Sequence, residues 1–242
     1  MYLEGSFQSK SLSSPIAYVA VLPEVIDEQT KTVFLLHGFG YDQRSWCLNT
    51  PLVQYAKTYN TAFFCPFAGN SFYTDHGNGE DYGQAVGEEF YQVMKETFGV
   101  AQEREKTAIV GFSMGGYGAI LLGLRYGENY SRIGGFSPAF VFYKKERQEA
   151  HYQMVFAKGD DGSENDCLVR YQELRQRKIA TPTLELACGV EDPLCEQTEK
   201  FFSSVQEMDS AAPISFRKQP GFHDFSLWNS DLEIFLKHFC AS

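Results

Sequence analysis

Apolar and polar positions fall into two rhythms along this chain. Short runs in which almost every position is apolar recur, among them Thr32-Val-Phe-Leu-Leu-His37, Thr61-Ala-Phe-Phe-Cys65 and Thr107-Ala-Ile-Val-Gly111. Runs of this length, closed by turn residues such as Pro66, predict strands buried on both faces of a sheet. Ile16 to Leu22, Ile133-Gly-Gly-Phe-Ser137, Thr183-Leu-Glu-Leu-Ala187 and Ile214-Ser-Phe-Arg217 read as further strands. Between them the apolar residues return at helical spacing. Val86, Phe90, Val93, Met94 and Phe98 form one apolar face, and Leu232, Phe235, Leu236 and Phe239 form another. Cys167 to Lys178 and Cys195 to Met208 also read as helices. Strands alternating with helices predict βαβ units, hence an α/β fold with a mostly parallel central sheet and helices on both faces. There is no internal repeat and no Gly/Ser-rich or Pro-rich linker, so residues 1–242 are expected to form a single domain. The stretch 140–166 is the least periodic. It is either a cap or insertion over a site or a long surface connection.

Composition narrows the range of partners. Apolar residues make up 43% of the 242, enough to build one sizeable core. A formal net charge of −10 argues against nucleic acid or an anionic membrane as a partner, since both need clustered Lys and Arg. The basic cluster Lys144-Lys-Glu-Arg147 is short and broken by an acid, as on a solvated helix face. No apolar run reaches the roughly 18 residues of a membrane span. The start, Met1-Tyr-Leu-Glu-Gly-Ser6, has neither a basic nor an apolar leader region, so a cytoplasmic location is expected. Cys47, Cys65, Cys167, Cys188, Cys195 and Cys240 form no CxxC pair, and no zinc site is expected. In a reducing compartment they are free thiols. Cys167 and Cys195 fall at predicted loops or helix starts, positions open to exposure.

The strongest chemical signal is Gly111-Phe-Ser-Met-Gly115. It fits G-x-S-x-G, a nucleophile placed on a sharp strand-to-helix turn. The context fits too: a buried strand precedes it, and Gly116-Tyr-Gly-Ala-Ile-Leu-Leu-Gly-Leu124 continues as a helix. Glycines two residues to either side leave room for the strained turn, and the helix start points free amides at a reacting carbonyl. Gly116 and Gly118 are expected to let this helix pack closely on the sheet. The plainer reading is an ordinary Gly-rich βα turn.

A serine hydroxyl needs a base, and the base needs an orienting carboxylate. In this arrangement the chain order is Ser, acid, His. His223 lies in Gln219-Pro-Gly-Phe-His-Asp-Phe225, a loop between the last strand and the final helix. His238 sits in that helix, and His151 precedes the acid, so both fit less well. Asp192, in Cys188-Gly-Val-Glu-Asp-Pro193, follows a strand and a Gly turn. Glu191 beside it is a rival, and Asp224 a more distant one. Asp160, Asp161 and Asp166 read as loop acids or a helix cap. For an oxyanion hole, one donor is expected from the amide of Met114, the residue after the nucleophile. The other is expected from Phe39 in His37-Gly-Phe-Gly40, with His37 itself a structural residue at the strand end. Asp75 and His76 are neighbours, but two residues do not make a metal site.

With these residues in place, the chain resembles an esterase family of α/β-hydrolases. That family includes tributyrin esterases, S-formylglutathione hydrolases, feruloyl and acetyl-xylan esterases and mycolyltransferases. The resemblance rests on Leu35-Leu-His-Gly-Phe-Gly40, Asn70-Ser-Phe-Tyr-Thr-Asp75, Glu103 to Gly118 and Phe136-Ser-Pro-Ala139, and is greatest to the small bacterial tributyrin esterases. It implies the α/β-hydrolase fold and hydrolysis of short-chain acyl esters without a cofactor. It implies Ser113 as nucleophile, Asp192 as acid, His223 as base, and Phe39 and Met114 as oxyanion donors. The expected partner is a small-molecule ester, and a homo-oligomer is in keeping with the family. Formylglutathione hydrolases differ where His37-Gly38 stands here, which argues against a glutathione thioester. Feruloyl or other aryl ester hydrolysis, or acyl transfer on the same triad, are the alternative readings, and a catalytically inert binding protein is a remote one.

Overall fold

A computed structural model describes residues 1–140, 150–156 and 163–241. The chain opens with strands β1 (Tyr2–Ser9), β2 (Ser14–Val21) and β3 (Lys31–Leu36), followed by short helices α1 (Ser45–Asn49) and α2 (Leu52–Thr58) and strand β4 (Thr61–Pro66). Helices α3 (Tyr82–Gln84) and α4 (Tyr91–Phe98) are joined by a π-helical turn, Ala85–Phe90. Then come β5 (Thr107–Phe112), α5 (Met114–Arg125), β6 (Arg132–Phe136), α6 (Ala150–Val155), α7 (Cys167–Gln176), β7 (Thr183–Gly189), α8 (Cys195–Met208), β8 (Ile214–Gln219) and α9 (Phe225–Ala241).

The strands form an eight-stranded sheet in the order β1-β2-β4-β3-β5-β6-β7-β8. The β1–β2 and β2–β4 pairs are antiparallel and the other pairs parallel. Alternate side chains of each central strand enter opposite layers. Phe34 and Leu36 join the layer with α4, α5, α7 and α8, while Val33 and Leu35 join Trp46, Leu52 and the apolar face of α9. This is why β4 and β5 read as continuous apolar runs: every residue in them is buried. Helices cover both faces and the central sheet is parallel, as the sequence predicts and as the α/β-hydrolase fold requires.

Three local features differ from the sequence reading. Strand β1 has no predicted counterpart. It is an edge strand in which exposed and half-buried residues alternate, and only Leu3 and Phe7 carry its apolar face. The helical face from Val86 to Phe98 is real, but the π turn re-phases it and aims Glu89 at the β1–β2 turn. There the Glu89 carboxylate accepts from Ser9 Oγ, Lys10 N and Ser11 N at 2.6–3.1 Å. Finally, Cys167 and Cys195 are buried, because each starts a helix on its core-facing side.

Of the 140–166 stretch, α6 lies against the early loops: Phe156 and Tyr152 pack on Phe72, and His151 packs edge-on against Phe39. Residues 141–149 and 157–162, on which the expectation of a cap also rests, lie outside the described residues. Among the described residues, no helix is long and apolar enough to cross a membrane.

Candidate active site

The turn after β5 has the geometry its glycines imply. Ser113 sits at φ +55°, ψ −121°, a backbone state that an L-residue holds only under constraint. The constraint comes from the next strand. Ser113 N donates to Phe136 O at 2.9 Å, and Ala139 N donates to Ser113 O at 3.0 Å. A Cβ on Gly115 would lie 2.3 Å from Leu36 O, and one on Gly111 would lie 2.0 Å from Gly115 O. Only a bare backbone fits there. Gly116 approaches the end of β6, as expected, but Gly118 faces the ring of Tyr73 rather than the sheet. The small residue at 118 therefore serves the 70–75 loop.

Three strand ends converge on the Ser113 hydroxyl. His223, in the loop between β8 and α9, places Nε2 3.0 Å from Ser113 Oγ. Its Nδ1 lies 2.7 Å from Oδ2 of Asp192, in the loop after β7. The sequence-predicted nucleophile, base and acid are thus brought together, the base and acid across 31 residues and the base and nucleophile across 110. Burial pushes the Asp192 carboxyl up. Hydrogen bonds from His223 and from Leu194 N outweigh that and hold it below the ordinary aspartate value. It is therefore an anion wherever His223 can act as a base.

The rival residues have other roles. Glu191 is exposed, and its carboxylate accepts from Gly221 N at 2.7 Å, tying the acid loop to the histidine loop. Asp224 is exposed and accepts from Ser226 N at the start of α9. His238 is largely exposed and faces Glu185, 2.8 Å away. Asp166 caps α7 by accepting from Leu168 N. Asp160 and Asp161 lie outside the described residues. Asp75 is buried and paired with Arg125 at 2.6 Å.

The proposed oxyanion segments both abut the nucleophile. Met114 opens α5, so its amide has no acceptor within the helix. A Cβ on Gly38 would fall 3.3 Å from Ser113 Cβ, which puts the loop carrying Phe39 beside the nucleophile. That loop is braced from below. His37 is buried, its Nε2 accepts from Ala68 N at 3.0 Å, and its carbonyl accepts from the Tyr73 hydroxyl at 2.9 Å. Because Nε2 accepts, the ring proton is on Nδ1, which donates to Gly38 O at 2.9 Å. Gly40 N donates to Asn70 Oδ1 at 2.7 Å and fixes the far end.

This brace is sensitive to acid. Burial, only partly opposed by the Gly38 carbonyl and Asp42, lowers the His37 pKa from 6.5 to about 4. The unfolded chain therefore takes up a proton on this histidine that the folded chain refuses. Above about pH 6.5 both states are neutral and nothing is lost. Between about 6.5 and about 4 stability falls, on the order of 3 kcal/mol in all, and below that the contribution is flat. Urea midpoints from pH 7 to pH 4 are expected to drop more steeply for the wild type than for His37→Gln, whose amide can still accept from Ala68 N but does not titrate. Parallel curves would show that His37 is not the sensitive group.

Sequence reasoning missed Ser137 and Trp228, which lie beneath the acid and the base. Ser137 stands in the Phe136-Ser-Pro-Ala139 motif, and Trp228 reads as one more apolar residue of the last helix.

Comparison with known proteins adds three findings. The family described as "Putative esterase" matches residues 9–238. An acetyl esterase from Caldicellulosiruptor saccharolyticus is 32% identical over 250 residues, spanning 94% of this chain and 93% of its own. Among solved structures, the fluorophosphonate-binding serine hydrolase F of Staphylococcus aureus, with substrate bound, matches with a TM-score of 0.88 at 21% identity, covering 99% of this chain and 98% of its own. An S-formylglutathione hydrolase of the same organism matches with a TM-score of 0.85 at 22% identity, over 99% and 98% of the two chains. At these identities the two solved structures bear on the fold alone.

Proposed function

Because the chain belongs to the Putative esterase family and is a serine carboxylic ester hydrolase, we propose that it hydrolyses short-chain acyl esters, acetyl esters foremost, through an acyl-enzyme on Ser113. One observation carries the assignment of roles: Ser113 Oγ lies 3.0 Å from His223 Nε2, whose other nitrogen is held 2.7 Å from Asp192. His223 takes the Ser113 proton as Oγ attacks the ester carbonyl, and Asp192 steadies the imidazolium that forms. The amides of Met114 and Phe39 hold the oxyanion. His223 then returns the proton to the departing alcohol. A water molecule, deprotonated by the same imidazole, attacks the acyl-enzyme, and His223 passes that proton to Ser113 Oγ as the carboxylic acid is released. The likeness to an acetyl esterase supports a small acyl group. So does the packing of Phe39 on Phe72, with Tyr152 and Phe156 behind, which fills space beside the oxyanion loop with rings.

The test is a series of p-nitrophenyl esters from acetate through butyrate to octanoate, with methyl ferulate alongside. kcat/KM is expected to fall by about tenfold or more from acetate to octanoate, the scale on which a pocket rejects surplus methylenes. Faster turnover of octanoate or of ferulate than of acetate would overturn the short-acyl assignment and leave the hydrolase assignment standing.

A further inference from the structure

His223 reaches both Ser113 and Asp192 from a loop that has little to pack. Only Pro220, Gly221 and Phe222 separate it from the end of β8. Pro220, Phe222 and Asp224 are exposed. Gly221, at φ +150°, has no side chain and stands in a backbone region that favours glycine. On one flank the imidazole meets Trp228 of α9 edge-on, with ring centroids 4.9 Å apart. On the other, the loop is held by the segment that carries the acid.

The two loops leave the sheet side by side. Strands β7 and β8 pair in parallel as far as Gly189 and Gln219, and Val190 N donates to Gln219 O at 2.9 Å. Past that point Pro220 has no N–H to give, and the ladder stops. The next amide, Gly221 N, donates to the Glu191 carboxylate at 2.7 Å, and Glu191 N donates back to Gly221 O at 3.3 Å. The Glu191 side chain thus supplies a charged acceptor that carries the pairing one step beyond the sheet, the stronger kind of hydrogen bond. The approach is close: a Cβ on Gly189 would lie 1.9 Å from Gly221 O. Asp192, the next residue after Glu191, places Oδ2 2.7 Å from His223 Nδ1. Adjacent carboxylates therefore grip one loop at two points, Glu191 by its backbone at 221 and Asp192 by the imidazole at 223.

We propose that Glu191 is a positioning residue for the base: its carboxylate, bonded to Gly221 N, holds the 220–223 loop against the acid loop and so keeps His223 Nε2 on the Ser113 hydroxyl. This rests on Ser113, Asp192 and His223 acting as the triad. With the imidazole alone bonded to Asp192, residues 220–222 can shift and carry Nε2 off Ser113 Oγ, 3.0 Å away. The bond at Gly221 opposes that shift. Glu191 touches no reacting atom in this role; it acts through His223.

The experiment uses Glu191→Ala and Glu191→Gln. Alanine removes the acceptor at an exposed position, where a substitution leaves the fold intact. Glutamine keeps a side-chain oxygen at the same reach and removes only the charge. Active sites are counted by fluorophosphonate labelling of Ser113 carried to completion, and kinetics on p-nitrophenyl acetate are expressed per labelled site. For Glu191→Ala kcat is expected to fall about three- to tenfold, the scale of a small misplacement of a working group, with KM changed less than about twofold. Glu191→Gln is expected to stay within about twofold of wild type in both, because the bond to Gly221 N survives. A Glu191→Ala enzyme whose kcat per labelled site falls less than about threefold overturns the proposal. So does a Glu191→Gln enzyme that loses as much as the alanine variant, since the charge rather than the bond would then be at work. A change confined to KM overturns it too, because that would place Glu191 against the substrate. Should Ser113→Ala retain turnover, the triad itself is wrong. An inactive Ser113→Ala enzyme beside a wild-type-like Glu191→Ala enzyme refutes the positioning role alone.

Discussion

Ser113→Ala is expected to lower kcat on p-nitrophenyl acetate by about 10⁴- to 10⁶-fold, with little change in Tm. The size follows from how a triad works: removing the nucleophile removes the covalent route altogether, and only the oxyanion donors and substrate binding remain to assist water. The stability is preserved for a local reason. Alanine keeps the Cβ and meets the same strained dihedrals, φ +55° and ψ −121°, that serine already tolerates. The hydroxyl it lacks is bonded to His223, which is itself half-buried and can turn to water. His223→Ala should fall in the same range, and the double variant should be little worse than either, because the two residues act as a unit. Steady-state kinetics and a fluorophosphonate label measure both. Turnover above about one per cent of wild type in Ser113→Ala, after contaminating esterase is excluded, would remove Ser113 from the mechanism.

Gly115→Ala is expected to do what Ser113→Ala does not: destabilise the fold as well as silence it. The added methyl would stand 2.3 Å from Leu36 O and 2.6 Å from His37 O, backbone atoms at the end of β3. No side-chain rotation relieves contacts with backbone, so either the start of α5 lifts off the sheet or the His37 loop is displaced. Overpacking of this kind usually costs about 1–3 kcal/mol, and with backbone on both sides the upper end or beyond is expected, about 3–5 kcal/mol. A shift of either segment also moves the Phe39 or the Met114 amide away from the nucleophile. The expected result is a urea midpoint well below wild type together with slow fluorophosphonate labelling in the folded fraction. Wild-type stability and labelling would mean that α5 and β3 can separate at Gly115 without cost, against the close packing that a 2.3 Å approach implies.

Much of this architecture was legible in the sequence, because the features that announce it are local. A strand buried on both faces writes itself as an uninterrupted apolar run, which is why β3, β4 and β5 stand out. The turn at 111–115 announces itself because only glycine fits beside it. The order Ser113, Asp192, His223 could be read because each lies just after a strand. What escaped is what depends on partners distant in sequence. Strand β1 shows little apolar signal because it is half-covered at the sheet edge. The burial of Cys167 and Cys195 depends on which way their helices face. Ser137 was visible as part of a motif, but its bonds join the end of β6 to β7 and to α9, and no spacing encodes that.

The distance along the chain between nucleophile and base has a meaning for synthesis. Ser113 is translated 110 residues before the imidazole that activates it. At ordinary translation rates, roughly 5–20 residues per second, the serine exists for roughly 5–20 s before His223 has been made, and for longer before α9 can clamp the loop that holds it. During that interval the elbow can fold on β3, β5 and β6, yet its hydroxyl has no base. A nascent chain that ends before His223 has no base for Ser113, so on the proposed mechanism activity waits for the last strand and helix to dock. Catalytic onset would therefore report the closing event of folding, in a protein whose nucleophile is set early and whose chemistry arrives last.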